Sequence, residues 1–205
     1  MDGAVLPKPS KPYRLTLGQM EEAKKQLQEL EDTGMIESSD SPLAAPLFFI
    51  PKKDGTQRMC INYRKLNEIT IRDAYPLPNM ELLLEAARGA TVFSKFDLRS
   101  AYNMFPIRKG DRWKTGFVTP WGLKQFTIMH YGFVNAPACL QRYMDNILRP
   151  LTVWHPSQVS TYMDDTGSFT NNLEEAIKFN RRRSIQAEAP TTHEGSSSIQ
   201  CHTLN

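Results

Sequence analysis

The spacing of apolar residues near the start of the chain predicts a helix followed by a β-hairpin. Four apolar residues recur at helical intervals: Met20, Ala23, Leu27 and Leu30. Thr16 is suited to cap this helix and Gly34 to end it. A buried strand then approaches Asp54-Gly55, a tight-turn signal, and residues 58–62 form the returning strand. The pattern therefore predicts a helix followed by a hairpin with a basic tip.

The rest of the pattern alternates between short strands and helices. The predicted elements are, in order, a helix from Asn79 to Gly89, a strand over 91–97, a hairpin of strands 113–118 and 124–129, a helix over 137–148, strands over 158–163 and 166–170, and a helix over 173–179. Tight hairpins join antiparallel strands, whereas parallel strands need long crossovers. We therefore predict an α+β fold with one antiparallel sheet covered by helices, not a doubly wound parallel fold.

Both ends of the chain differ in composition from its middle. Residues 1–15 are rich in proline and lysine, which predicts an extended lead-in. Residues 180–205 contain hardly any large apolar side chain, so we predict that this tail is disordered. The folded domain is expected to span residues 16–179.

Composition and charge narrow the class of protein. The chain has 205 residues, is 40% hydrophobic and carries a net charge of +3, as an ordinary globular protein does. It shows neither the apolar core of a signal peptide nor a run that could cross a bilayer, so an intracellular location without a membrane role is expected. Residues 51–72 hold six basic side chains against two acidic ones, and such an excess suits a surface facing phosphates or simply solvent.

Acidic residues follow two of the predicted strands. Asp97 ends one strand, and Asp164 and Asp165 follow another. Extending a nucleic acid is promoted by two divalent ions held about 3.5–4 Å apart. Magnesium prefers carboxylate, water and phosphate oxygens, so a few aspartates suffice to hold it. An Asp-Asp pair alone is weak evidence, because surface turns contain many such pairs, and the neighbouring segments must decide.

Several segments in a fixed order carry a family resemblance. They are residues 41–42, 48–55, 58–60, 63–67, 75–78, 96–102, 132–138 and 162–165. Together they resemble the reverse transcriptases of LTR retrotransposons, most closely the Ty3/Gypsy type, over about residues 13–179. The resemblance implies the right-hand polymerase fold, with fingers and an antiparallel palm sheet packed on helices, ending before the thumb.

The resemblance also implies roles for particular residues. Asp97, Asp164 and Asp165 would be the catalytic metal ligands, holding two Mg²⁺ ions, with Mn²⁺ as an alternative ion. The residues expected to bind the incoming dNTP are Lys52, Lys53, Arg58, Leu98, Tyr102 and Tyr131. Those expected at the template or primer are Arg64, Asn135, Pro137 and Met163. The choice between Lys52 and Lys53 stays open, since hairpin lengths vary.

Tyr102 carries the expected selectivity for deoxynucleotides. In the family, the aromatic ring at this position would clash with a ribose 2′-hydroxyl. The alternative reading is a tyrosine of the hydrophobic core. Tyr131, just before Gly132, aligns with a position near the sugar and base of the nucleotide.

The function implied is that of an RNA-directed DNA polymerase, which uses a primed RNA or DNA template and dNTPs. A palm polymerase that copies RNA into RNA is a second hypothesis, although Tyr102 and Met163 argue against it. A third is an inactive remnant that binds nucleic acid nonspecifically.

The sequence also departs from the family. The strand after Asp165 is unusually polar, and the thumb, RNase H and integrase regions expected in the same polyprotein do not follow it. We therefore expect weak or no activity from this chain by itself. That expectation concerns activity alone and leaves the assignment of the site residues unchanged.

Overall fold

The computed structural model describes residues 6–98, 101–154 and 159–188. These residues form two compact units. Of the described residues, the first unit contains 6–72 and 102–136, and the second contains 73–98, 101, 137–154 and 159–188. Within the described residues, no helix is both long and apolar enough to cross a bilayer.

The first unit is built on a five-stranded sheet. Its elements are helix α1 (Leu17–Asp32), strands β1 (Ile36–Ser38), β2 (Ala45–Pro51) and β3 (Gln57–Ile61), helix α2 (Arg64–Ile69), and strands β5 (Phe117–Thr119) and β6 (Gly122–Phe126). Two 3-10 helices, Ala101–Met104 and Lys109–Thr115, precede β5. The strand order is β1-β6-β5-β2-β3, with β2 and β5 parallel and the other pairs antiparallel.

Helix α1 begins and ends where the sequence pattern predicts. The Thr16 hydroxyl accepts a hydrogen bond from the Gln19 backbone, and the Gln19 side chain accepts one from the Thr16 backbone. This reciprocal pair satisfies two amides at the open helix end. Ala23 and Leu27 are buried on one face, and Gly34 adopts a φ of 69° just after the helix. The predicted helix and its cap are confirmed.

Aromatic side chains fill the core of the first unit. Phe117 on β5 and Phe126 on β6 are both fully buried, and their rings stack with centroids 5.0 Å apart. The other strands also turn apolar residues inward, including Ile36, Leu47 and Ile61. Burial of such side chains is the main stabilising term in a small domain.

The second unit is built on a three-stranded antiparallel sheet. Its elements are helix α3 (Met80–Ala86), strand β4 (Val92–Asp97), helix α4 (Ala136–Trp154), strands β7 (Val159–Tyr162) and β8 (Asp165–Thr170), and helix α5 (Leu173–Glu188). The strand order is β4-β8-β7. The predicted strands around the acidic pair are confirmed, as is the helix that Asn79 caps.

The inward face of the three-stranded sheet is polar along β8, although Val159 of β7 is buried on the same face. Thr166, Ser168 and Thr170 alternate along β8 and are all buried, and the facing residue Thr161 on β7 is buried too. The Ser168 hydroxyl donates to the Asn180 side chain of α5, which in turn donates to the Ser94 hydroxyl of β4. These contacts attach α5 to the sheet through hydrogen bonds.

Four details of the predicted architecture are corrected. The strands form two sheets, not one. Residues 113–115 belong to a 3-10 helix, and β5 begins only at Phe117. Helix α5 continues to Glu188, so a disordered tail starting at residue 180 is wrong for 180–188, and residues 189–205 lie outside the described part. Helix α2 was not predicted, because six residues are too few to show a helical period.

Candidate active site

The three aspartates meet at one end of the three-stranded sheet. Asp97 ends β4, Asp165 begins β8, and the two are cross-strand partners in the antiparallel register. The Leu98 backbone N–H donates to the carbonyl oxygen of Asp164, 3.2 Å away. Backbone hydrogen bonding thus holds Asp164 and Asp165 beside the end of β4. The Asp97 side chain lies outside the described atoms, so its placement rests on its backbone alone.

A tight turn carries the acidic pair. Tyr162 and Asp165 are the last partners of the β7–β8 ladder, so Met163 and Asp164 form a two-residue loop. Met163 has a φ of 55°, and it is the only residue other than glycine with a positive φ among the described residues. Hairpin turns with a positive φ at the first loop position usually place glycine there. A side chain at this position makes the turn strained.

A buried glutamine contacts this turn from helix α4. Gln141 is 0% exposed, its Oε1 accepts from the Met163 N–H at 2.7 Å, and its Nε2 donates to the Thr161 carbonyl oxygen at 3.3 Å. The sequence reading did not single it out. A signal was available, since Gln141, Met144 and Leu148 recur at helical spacing on the buried face of α4.

Asp165 already attracts a cationic group. The Lys95 Nζ lies 3.0 Å from Asp165 Oδ2, although both side chains are well exposed. A carboxylate that draws in an ammonium group can also accept a divalent cation. No described His, Cys, Asp and Glu side chains form a cluster of three suited to a metal ion, and the Asp97 side chain is not among them. The aspartate oxygens are nevertheless the donors that Mg²⁺ prefers, so the residues fit such an ion.

The predicted phosphate-binding residues lie on the β2–β3 hairpin of the first unit. Asp54 forms its tip, accepting hydrogen bonds from the Thr56 backbone and hydroxyl, and these bonds lower the pKa of Asp54. Lys52, Lys53 and Arg58 are exposed and make no ion pair within the described part of the chain. The hairpin with a basic tip is confirmed. Contact of its cations with phosphate stays a prediction.

The two predicted tyrosines contact each other in the first unit. Tyr102 is 6% exposed and Tyr131 is 53% exposed, and their rings meet edge to face with centroids 4.7 Å apart. His130 stacks on Phe126, with its Nδ1 2.9 Å from the Tyr131 carbonyl oxygen. The depth of Tyr102 leaves both readings open, because a ring in the core and a ring under a sugar would both be largely covered.

The other predicted contact residues differ in their exposure. Arg64 is exposed at the start of α2, and Pro137 is half-buried near the start of α4. The Asn135 side chain is buried and donates to the Ile71 carbonyl oxygen, a contact within the protein. The Leu98 N–H is hydrogen-bonded to the Asp164 carbonyl oxygen. The contact of Asn135 therefore gives no support to its predicted role at the template or primer. The contact of Leu98 gives none to its predicted role at the dNTP.

The fold and this acidic turn define a polymerase palm, and comparison with known proteins identifies which kind. The model of the reverse transcriptase (RNA-dependent DNA polymerase) family matches residues 50–187. The chain therefore belongs to the reverse transcriptase family. This match does not favour the reading of an inactive remnant.

The curated relatives are transposon proteins. The chain is 36% identical over 170 residues to the Transposon Tf2-3 polyprotein and to the Transposon Tf2-7 polyprotein of Schizosaccharomyces pombe (strain 972 / ATCC 24843). The alignment covers 83% of this chain and 12% of each polyprotein, so the chain spans about an eighth of their length. The predicted resemblance to retrotransposon reverse transcriptases of the Ty3/Gypsy type is confirmed.

Solved structures of the same fold come from a foamy virus. The chain is similar to the foamy viral protease-reverse transcriptase in complex with an RNA/DNA hybrid, with a TM-score of 0.75 and 22% identity over 90% of this chain and 24% of that one. It is also similar to the prototype foamy virus protease-reverse transcriptase CSH mutant, with a TM-score of 0.79, 22% identity and coverages of 91% and 25%. The predicted polymerase fold is thereby confirmed.

Proposed function

We propose that this chain is the fingers and palm part of an RNA-directed DNA polymerase that adds dNTPs to a primer 3′-hydroxyl. The observation that carries the proposal is the register of β4 and β8, which brings Asp97 opposite Asp165 at the turn containing Asp164. Asp164 and Asp165 of one hairpin thus share one end of the sheet with the backbone of Asp97. Membership of the reverse transcriptase family supports the same reaction.

The proposed reaction requires divalent metal ions bound at the three aspartates. Bound Mg²⁺ would activate the attacking 3′-oxygen and offset charge on the leaving pyrophosphate. Asp97, Asp164 and Asp165 are the residues that would hold it, and the Lys95 contact with Asp165 supports a cation site there. The ladder bonds of β4, β8 and β7 fix the backbone positions of these three residues.

The substrate-binding roles rest on residues of the first unit. Lys52, Lys53 and Arg58 would meet the triphosphate, since unpaired cations on a hairpin can offset phosphate charge. Tyr102 would lie under the sugar and exclude a 2′-hydroxyl, with Tyr131 beside it. Arg64 would contact the template backbone. A primed RNA or DNA template is the proposed partner, as foamy viral protease-reverse transcriptase has been solved with an RNA/DNA hybrid.

Primer extension tests the polymerase activity. The full chain is incubated with poly-rA, an oligo-dT primer, dTTP and Mg²⁺, at high enzyme concentration because we expect the chain alone to be slow. Asp164→Asn should lower incorporation by about a hundredfold or more, the cost of removing a preorganised charge at the reacting phosphate. Asp40→Asn changes an exposed aspartate of the first unit and should leave incorporation unchanged. Incorporation that Asp164→Asn leaves unchanged would overturn the proposal.

A second experiment separates the two readings of Tyr102. Tyr102→Val opens space at the proposed sugar position, so use of UTP relative to dTTP on poly-rA should rise on the order of tenfold or more. A tyrosine that only fills the core predicts a lower melting temperature with no change in that ratio. Measuring both quantities on one protein preparation distinguishes the readings.

A further inference from the structure

We propose that Gln141 is a positioning residue that clamps the Met163-Asp164 turn and thereby sets the metal-binding geometry of Asp164 and Asp165. This inference rests on the proposed function, because it assigns Gln141 a role toward the same site. Gln141 is on helix α4, outside the hairpin that it holds. It contacts no reacting group itself and would act only through the backbone of the turn.

Gln141 bonds to the backbone on the N-terminal side of the turn. On the strand side, its Nε2 donates to the Thr161 carbonyl oxygen of β7 at 3.3 Å. On the turn side, its Oε1 accepts from the Met163 N–H at 2.7 Å. One side chain is therefore hydrogen-bonded to the backbone of both Thr161 and Met163, and Met163 immediately precedes Asp164. Because Gln141 is fully buried, water cannot replace either bond without opening the core.

The conformation of Met163 explains why the turn needs such a contact. With a φ of 55°, Met163 occupies the left-handed region that a residue with a side chain rarely adopts. A more extended turn would relieve the strain and would move Asp164 and Asp165 with it. The hydrogen bond from the Met163 N–H to Gln141 opposes that movement. Displacements near 1 Å at a reacting centre cost on the order of a hundredfold in rate, so small relaxations matter.

A neighbouring carboxylate fixes the orientation of the Gln141 amide. Asp145 lies one helical turn along α4, and its Oδ1 accepts from Gln141 Nε2 at 2.8 Å. An ionised carboxylate only accepts hydrogen bonds, so the amino group must face Asp145 and the oxygen must face Met163. The Asp145 side chain therefore prevents the amide flip that would leave the Met163 N–H without an acceptor.

Asp145 is itself held from the opposite side. The Tyr75 hydroxyl donates to Asp145 Oδ2 at 2.6 Å, and burial together with Asp145 raises the pKa of Tyr75 to about 12, so the hydroxyl keeps its proton. Arg142 lies over the Tyr75 ring at 4.6 Å and forms two 2.7 Å bonds with Asp73. The chain of contacts leads from the Asp73–Tyr75 segment through Asp145 and Gln141 to the turn.

Binding of Mn²⁺ to the full chain, followed by electron paramagnetic resonance, tests the clamp without turnover. Gln141→Met keeps the length of the side chain and removes both bonds, so Mn²⁺ affinity should fall about tenfold, as it does when supports of metal ligands are lost. Adding Met163→Gly removes the strain that the clamp opposes. The double variant should therefore recover most of the lost affinity, which a merely space-filling role of Gln141 would not predict.

A matched control separates the clamp from general loss of stability. Thr115→Val removes a fully buried, hydrogen-bonded polar group of the first unit. It should lower the melting temperature while Mn²⁺ affinity stays at the wild-type value. Equal Mn²⁺ affinity of wild type and Gln141→Met would overturn the clamp, as would equal loss in Thr115→Val and Gln141→Met.

Hydrogen exchange of the Met163 amide tests the hydrogen bond to Gln141 independently of any metal. In the wild type this amide should be protected, and in Gln141→Met it should exchange at least about ten times faster than in the wild type, since its buried acceptor is gone. Unchanged exchange overturns the clamp. Faster exchange together with no Mn²⁺ binding by the wild type would support the clamp on the turn and overturn the proposed metal site instead.

Discussion

The two sheets of this protein bury different kinds of side chain. The five-stranded sheet of the first unit turns Phe117, Phe126 and other apolar residues inward. The three-stranded sheet turns Thr161, Thr166 and Ser168 inward and is attached to α5 through the Asn180 side chain. Apolar packing tolerates small shifts, whereas buried hydrogen bonds require particular distances and angles.

The two units differ in the interactions that hold their strands in place. In the first unit, apolar area removed from water supplies stability without demanding one exact arrangement. In the second, the strands that carry Asp97 and Asp165 depend on ladder bonds and on a few buried polar groups such as Gln141. The site is therefore held in place by directional bonds, and each of them is a position where it can be disturbed.

Removing a buried ring should give the largest effect. Phe117→Ala empties a fully buried site in the first unit, so the free energy of unfolding should fall by about 3–5 kcal/mol. Phe93→Ala removes the same side chain from β4, where it is 60% exposed, and should cost less than about 1 kcal/mol. Denaturant titration of both variants measures the contrast. Equal losses would refute the view that apolar burial distinguishes the regions.

Lowering the pH should weaken the first unit through His130. Burial lowers the pKa of His130 to about 4, below its ordinary value of about 6.5, so the folded protein holds the ring neutral. Stability from this group is complete above pH 6.5 and is lost as the pH falls toward 4, by up to about 3 kcal/mol. Denaturant titrations from pH 7 to 4 measure this. His130→Phe, which keeps a ring against Phe126, should flatten the dependence, and an unchanged slope would contradict the prediction.

A Thr→Val substitution should change the free energy of unfolding in opposite directions in the two units. Thr166 on β8 is fully buried, and its hydroxyl has no hydrogen-bond partner in the described part of the chain, so Thr166→Val should stabilise the protein by about 1 kcal/mol. The Thr115 hydroxyl makes hydrogen bonds with the Arg112 carbonyl and the Phe126 N–H, so Thr115→Val should destabilise by about 1–2 kcal/mol. Melting temperatures of the two variants decide, and a loss in both would mean that the Thr166 hydroxyl is satisfied.

The smallest effect on stability is expected at the surface ion pair of the site. Lys95 and Asp165 are 71% and 47% exposed, so Lys95→Met should change the free energy of unfolding by less than about 0.5 kcal/mol. Mn²⁺ should bind a few times more tightly, because a competing cation is gone. Lys124→Met breaks the ion pair with Glu31 in the first unit and should leave Mn²⁺ binding unchanged. Weaker Mn²⁺ binding by Lys95→Met would show that Lys95 supports the site.

Local patterns predicted much of the fold because their causes are local. The α1 cap at Thr16, the Asp54-Gly55 hairpin and the strands beside Asp164-Asp165 each depend on residues within one turn or one hairpin. Composition gave a wrong prediction at the end of α5, where disorder was expected from residue 180. Residues 180–188 contain few large apolar side chains, but Ala176 is buried, Asn180 is hydrogen-bonded to the sheet, and the helix continues to Glu188.

The sequence by itself determined the family and most of the order of the elements, since these follow from residue types at fixed spacing, and it predicted the three aspartates of the candidate site. Only the tertiary structure decided that Asp97 is the register partner of Asp165 and that the Leu98 amide is bonded to Asp164. It alone revealed the grip of Gln141 on Met163, 22 residues away. Strand register and long-range side-chain hydrogen bonds depend on tertiary contacts between distant segments, and local sequence patterns do not specify those contacts.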